Sequence, residues 1–336
     1  MSALRPPASA RAPKPYGYVP LGDGSVLRRD PLFTQGHDRQ ASGSLSGRIE
    51  GRLVALTPLH VGTGTFERTA RVLPAHAAET PLLFPLVRAG VTPVLPGTTL
   101  KGALRAVVEA ITASCLTVRG PATRLLPPPL HPLRPCTRRD ALCPACRLFG
   151  GQGFLGRVRV ADAPLVEGET TLARVPERHA PRAGRGALPP GRRFYGHGRP
   201  ASGTVPVEVY GEGSALTWRL DFTNLQPAEV GLLLTGLGQG EPPLRLKLGG
   251  HKPTCFGSVE LRAAALTLDD PATRWLQYDP ASPAAAGDAD RVAPSADLAP
   301  YLQAATEGGL VLRDRLERLA GILRYPSGRD CPGEGY

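Results

Sequence analysis

The chain has 336 residues, 41% of them hydrophobic, which suits one large domain or two ordinary ones around an apolar core. With 40 glycines and 37 prolines its elements must be short and its loops many, and at 5% aromatics few rings are left for base stacking. A net charge of +11 and a pI of about 9.8 favour a polyanionic partner, and no run of 18 apolar residues is present to span a membrane. The N-terminal stretch MSALRPPASARAPKPYGYVPL lacks the continuous apolar segment of a signal peptide. A cytoplasmic location is therefore expected, where six cysteines serve as thiols or metal ligands rather than as disulfides.

In chain order, residues 1–45 are rich in Pro, Arg and Gly and read as an extended arm that orders only against a partner. From Ser46 the pattern alternates around Ile49, Leu53 and Ala55, a strand that ends at Pro58. LPGTTLKGALRAVVEAITASCL is the strongest helix, with Leu100, Leu104, Val107, Val108 and Ile111 on one face and Thr98 or Thr99 as its cap. Residues 154–165 and 215–225 read as strands. Between them the Arg/Gly/Pro-rich stretch 166–204 cannot build a core and is expected to project. PAEVGLLLTGL (227–237) is a second helix, with Pro227 at its start and Gly238 past its end.

Next comes LRLKLGGHKPTCFGSVEL (244–261), a strand, a glycine-rich loop and a returning strand. Leu244, Leu246 and Leu248 face one way, Arg245 and Lys247 the other. An Ala/Pro/Asp linker (280–299) and an amphipathic helix through Leu312, Leu316, Leu319 and Leu323 complete the chain. Strand, helix, strand, strand, helix, strand is the order of an α+β, ferredoxin-like (RRM-like) domain. It is placed at 46–265, with 266–336 as linker and C-terminal helix.

Two glycine-basic elements point to phosphate. Three glycines between Gly249 and Gly257 permit close approach of a ligand to the backbone, and His251 and Lys252 add positive charge. Lys101 lies in the first turn of a helix, where the dipole opposes a cation unless an anion is bound there. No P-loop spacing and no GxGxxG-led unit occurs.

The cysteines carry a separate signal. Cys136, Cys143 and Cys146 form C-x6-C-x2-C, with Cys115 as the fourth ligand of a structural zinc site and His131 as the alternative. The polar run RRDALCPACR argues against Cys143 and Cys146 as core residues. A closed site would staple the loop-rich insertion 116–150. Cys255 and Cys331 have no partners in the sequence and read as plain thiols.

The ordered motifs LTPLHVGTG, LPGTTLKGALR, CPACRLFGG, GFLGRVRVADA and LGGHKPTCFGSVEL resemble the RAMP superfamily of CRISPR-associated proteins, most closely the backbone subunits of type III effector complexes. The resemblance implies an RRM-like core that holds the crRNA backbone through the LPGTTLKG helix and the glycine-rich loop, beside other RAMP subunits and complementary target RNA. It also implies a thumb, which 166–204 suits. RNA contacts are expected from His60, Gly97, Thr98, Thr99, Lys101 and Arg105, from Gly249, Gly250, His251, Lys252, Phe256 and Gly257, and from Arg193 and Tyr195, with Phe194, Tyr195 and Phe256 as stacking rings.

In cleaving members of that family an Asp lies between the first strand and the LPG motif. Here that interval has no Asp, and only Glu67 and Glu79 carry carboxylates. Glu67 as a metal ligand and His60 as an acid-base group are the weak catalytic candidates; His37, Tyr195 and His197 stand behind them. The expected function is an RNA-binding subunit rather than an enzyme. The alternatives are a metal-dependent target-RNA endoribonuclease on the same scaffold, or a zinc-containing RNA-binding protein unconnected with CRISPR.

Overall fold

The computed structural model describes residues 15–21, 26, 37, 39–116, 131, 133–177, 191–269 and 297–332. The expected strand–helix order is present. Strand β1 (Tyr16–Pro20) comes first, then β2 (Leu45–Ala55), β3 (Arg88–Ala89), β4 (Thr92–Leu95) and α1 (Gly97–Ile111). A short helix α2 (Pro144–Phe149) leads to β5 (Val158–Val160), β6 (Ala163–Glu167), β7 (Thr170–Val175), β8 (Gly191–Tyr195), β9 (Val205–Tyr210) and β10 (Ala215–Leu225). Helix α3 (Pro227–Gly236), β11 (Leu246–Lys247), β12 (Ser258–Leu268), α4 (Ala299–Glu307) and α5 (Arg313–Ile322) follow.

The main sheet has eight strands in the order β11-β12-β2-β10-β6-β4-β3, and β5 pairs with β10 beside β6. Every pair in it is antiparallel. Counted as the repeat β2-α1-β5/β6-β10-α3-β12, its central order is fourth, first, third, second, which is the ferredoxin-like arrangement.

Alternation decides which face is buried. Ile49, Leu53 and Ala55 of β2 and Leu216, Trp218, Leu220 and Phe222 of β10 point into the core, while Arg52, Thr217 and Arg219 stay on the open face. Helix α1 closes that core with the five residues its periodicity singles out, all at most 3% exposed. Helix α3 opens with a reciprocal capping box between Gln226 and Glu229. It is apolar all round because α4 crosses its outer side. A Cβ at Gly231 would lie 1.8 Å from the Tyr301 carbonyl, so only glycine lets the two helices approach so closely. The sequence reading did not include α4; it did include α5, whose Leu316 and Leu319 are buried.

Three expectations change. Residues 16–20 of the supposed arm order against the chain's own β8, not against a partner, and the arm's residues 1–14, 22–25, 27–36 and 38 lie outside the described residues. The stretch 166–204 does not project as one loop: β7 pairs with β9, β8 pairs with β1, and His197 is fully buried, while 178–190 lie outside the described residues. Lys247, set opposite the leucines of its strand, is buried there rather than exposed: it donates to Ser258 beside His197, whose ring meets Tyr325 edge-on, and Arg329 lies close by. Linker residues 280–296 are likewise outside the described residues.

Candidate nucleic-acid interface and metal centre

Helix α1 runs out of the sheet at β4 and ends just before Cys115, so the fold itself delivers one sulfur to a fixed point. Pro144 at the first position of α2 sets Cys143 at its cap and Cys146 inside its first turn, which brings two more sulfurs onto one side. Cys136 completes the group. All four ligand atoms lie within 4.8 Å of one another, with Cys115–Cys146 at 3.5 Å and Cys115–Cys143 at 3.6 Å. Tetrahedral zinc at about 2.3 Å from each sulfur spaces the sulfurs by about 3.8 Å, so the cage has the size of a zinc–thiolate centre.

Hydrogen bonding among the four thiols holds Cys143 down at about 6 and pulls Cys136 below the ordinary thiol range, while hydrogen bonding and burial push Cys115 and Cys146 above it. By their spacing and burial the four cysteines could hold a metal such as zinc. His131, the alternative ligand, is not in the group. Contrary to the reading of RRDALCPACR as too polar for a core, Cys143 and Cys146 are at most 1% exposed. The one charge inside their helix, Arg147, is neutralised by buried Glu229.

Arg105 belongs to this centre. Its guanidinium bonds Glu109 Oε1 at 2.8 Å and the Gly150 carbonyl at 2.9 Å, and lies 3.6 Å from Cys146 Sγ. Arg192 reaches the same Glu109 at 2.5 Å and the Cys115 carbonyl at 3.2 Å. Arg105 was expected to contact RNA; its charge is committed inward, to a buried carboxylate and a thiol cluster.

The helix start differs from expectation too. Neither Thr98 nor Thr99 caps α1. The cap residue is Pro96, and the Gly97 amide donates to Asp162 Oδ1 at 2.8 Å. An acid from the β5–β6 turn thus already occupies the place an anion would take. Lys101 Nζ donates to the Val158 carbonyl at 2.7 Å. Its pKa is lowered, first by burial and then by Arg105 and Arg159. Lys101 and Arg159 leave positive charge at this edge of the sheet.

The glycine-rich loop is not a free tip. Gly250 N–H donates to the His60 carbonyl, Gly257 N–H to the Pro58 carbonyl, and Thr57 Oγ1 to the Cys255 carbonyl. Gly249 and Gly257 have φ of 71° and 76°, and a Cβ on either would meet a backbone oxygen at 2.2 and 2.0 Å. His251 and Cys255 also adopt positive φ, strain that a tightly anchored loop can hold. His60 is buried, donates from Nδ1 to the Glu208 carbonyl at 2.6 Å and lies 5.5 Å from the His251 ring. Phe256 is 3% exposed and packs near His251, so it offers no face to a base. Gly249, Gly250, Lys252 and Pro253 remain partly accessible.

At the root of the loop, Lys247 donates to Ser258 Oγ at 3.1 Å, Ser258 faces His197 Nδ1 at 2.9 Å, and His197 Nε2 donates to the Arg245 carbonyl at 3.1 Å. Burial, then Lys252 and Arg329, push Lys247 down to about 7; burial, then Lys247, pushes His197 down to about 4. Lys252 and Arg329 make no ion pair with the described residues, so among those residues this side of the loop carries unpaired positive charge. Cys255 and Cys331, read as lone thiols, form a disulfide across a separation of 76 residues, which ties the loop to the C-terminal tail. Tertiary packing alone brings them together.

Of the weak catalytic candidates, His60 is engaged as above, and Glu67 bonds the Arg68 amide and lies 3.6 Å from Arg71. His37 bonds the Leu155 carbonyl. Asp162, which accepts from the Gly97 amide at the start of α1, was not among the residues singled out from the sequence. It stands in the quoted GFLGRVRVADA, but only the fold sets it against Gly97.

No helix among the described residues is long and apolar enough to cross a membrane. Comparison with curated proteins finds no match. A family model described as the RAMP superfamily matches residues 52–223, just over half of the chain and the span from β2 to β10.

Proposed function

The chain belongs to the RAMP superfamily, and from that membership we propose that it is an RNA-binding subunit of a type III CRISPR effector complex, holding the sugar–phosphate backbone of the crRNA. Its partners are the guide, the complementary target RNA and other RAMP subunits. The family match across the sheet core carries this reading. Two cation groups support it: Lys101 with Arg159 beside the α1 start, and Lys252 with Arg329 around the glycine-rich loop. Contacts of this kind hold a strand without reading its bases, as a subunit that must accept any spacer requires. Zinc in the Cys115, Cys136, Cys143 and Cys146 cage is structural: four protein ligands leave no open position for a substrate. The cage would anchor the described part of the insertion, residues 116, 131 and 133–150, on domain 46–265, while 117–130 and 132 lie outside the described residues.

The test is RNA binding. Purified protein should carry RNA of guide length. Lys101→Ala with Lys252→Ala should weaken binding uniformly across spacers and reduce the slope of log K against log salt by about 1.4, since each single-strand phosphate contact contributes about 0.7. Unchanged affinity and slope would overturn the proposed track.

A further inference from the structure

The β1–β8 ribbon presents an outward face unlike any other on the described surface. In its register Tyr16 faces Tyr195 and Tyr18 faces Arg193, while Val19 faces Arg192 and Gly17 faces Phe194. Alternation puts the second set inward: Val19 is fully buried, Gly17 lies against Ile322, Phe194 packs on the core, and Arg192 reaches Glu109. The first set is left outside. Tyr16 packs edge-on against Tyr18 at 5.6 Å and against Tyr195 at 5.9 Å, and the exposed Arg193 guanidinium lies 5.3 and 5.4 Å from the Tyr16 and Tyr195 rings.

Three of the chain's eight tyrosines thus share one partly open face, in a protein with only 5% aromatics. Arg193 makes no ion pair among the described residues, and Arg318, whose Nε donates to the Tyr18 carbonyl at 3.2 Å, makes none among them either. A face with three rings and two cations that make no ion pair among the described residues complements a strand that has bases to stack and phosphates to neutralise. The chain continues from this ribbon through His197 to Ala201, whose amide donates to the Thr254 carbonyl of the glycine-rich loop, so the two surfaces are joined by five residues of backbone.

We propose that the outward face of the β1–β8 ribbon, Tyr16, Tyr18, Tyr195 and Arg193, is a base-stacking platform for single-stranded RNA, adjoining the backbone track of the glycine-rich loop. This rests on the reading of the protein as an RNA binder. It adds a site that engages bases, whatever their sequence, rather than phosphates.

Single-stranded RNA containing 2-aminopurine, and an abasic ribose-phosphate oligomer of equal length, separate the two claims. The wild-type protein should quench 2-aminopurine and bind the base-bearing strand roughly tenfold or more tighter than the abasic one. Tyr18→Ala with Tyr195→Ala should abolish the quench and the preference and leave the salt slope unchanged. Tyr18→Leu with Tyr195→Leu keeps apolar bulk on the ribbon without a ring and should do the same, which guards against simple unfolding. Lys101→Ala with Lys252→Ala should lower the slope and keep the quench. Equal affinity for both oligomers, or ring variants that bind and quench like wild type, would overturn the platform alone. Failure of wild type to bind any RNA would overturn the functional reading and the platform with it.

Discussion

The cysteine cage and the glycine-rich loop both announce themselves in the sequence by residue type and spacing, yet the fold treats them in opposite ways. The cage is what its spacing implies, four sulfurs brought to one point, because ligand spacing on a tight turn and a helix end is local chemistry. The loop was read as an open basic tip, and it is instead pinned to residues 57–60, laid over two histidine rings and tied to Cys331. Glycines permit an open loop and a tightly packed one equally well; which occurs depends on what the rest of the chain places beneath them. The cage therefore rests on a few strong bonds, the loop on many weak ones plus buried charge.

That contrast can be broken or sharpened by substitution. The largest effect is expected at the cage. Cys143→Ser should lose the bound zinc by metal analysis and lower the thermal midpoint by 10 °C or more, since structural zinc in isolated fingers is worth roughly 10–16 kcal/mol and even a third of that is large for this chain. Wild-type protein without zinc would remove the premise.

The loop's root should behave in the opposite sense. Lys247 has its pKa depressed to about 7, so between about pH 7 and its ordinary 10.5 the unfolded chain binds more protons than the folded one, and stability rises with pH across that window. Lys247→Met should stabilise the protein at pH 7, on the order of 2–4 kcal/mol, and flatten that rise in urea unfolding series. A destabilised variant with the slope intact would show that Lys247 is held charged by a partner. The smallest effect separates two claims about the start of α1: Asp162→Ala should cost about 1 kcal/mol and Thr98→Ala almost nothing. Reversed values would restore the threonine as cap.

The sequence by itself determined the order of the core elements from β2 to β12, the buried stripe of α1 from Leu100 to Ile111, the alternation of β2 and β10, and the three clustered cysteines Cys136, Cys143 and Cys146; the fold chose Cys115 over His131 as the fourth. Each of the first set follows from a period of two or 3.6 residues or from a chelating spacing within one short stretch. Only the tertiary structure decided that Asp162 rather than a threonine accepts from the first amide of α1, that Arg105 braces the cage, that Lys247 and Phe256 are buried, and that Cys255 meets Cys331. It also set Tyr16 and Tyr18, from a stretch read as unstructured, beside Arg193 and Tyr195. The pairings behind the helix start, the cage brace, the disulfide and the ribbon join residues roughly 40 to 180 positions apart, and a pattern confined to one strand or helix carries no information about what will lie across from it.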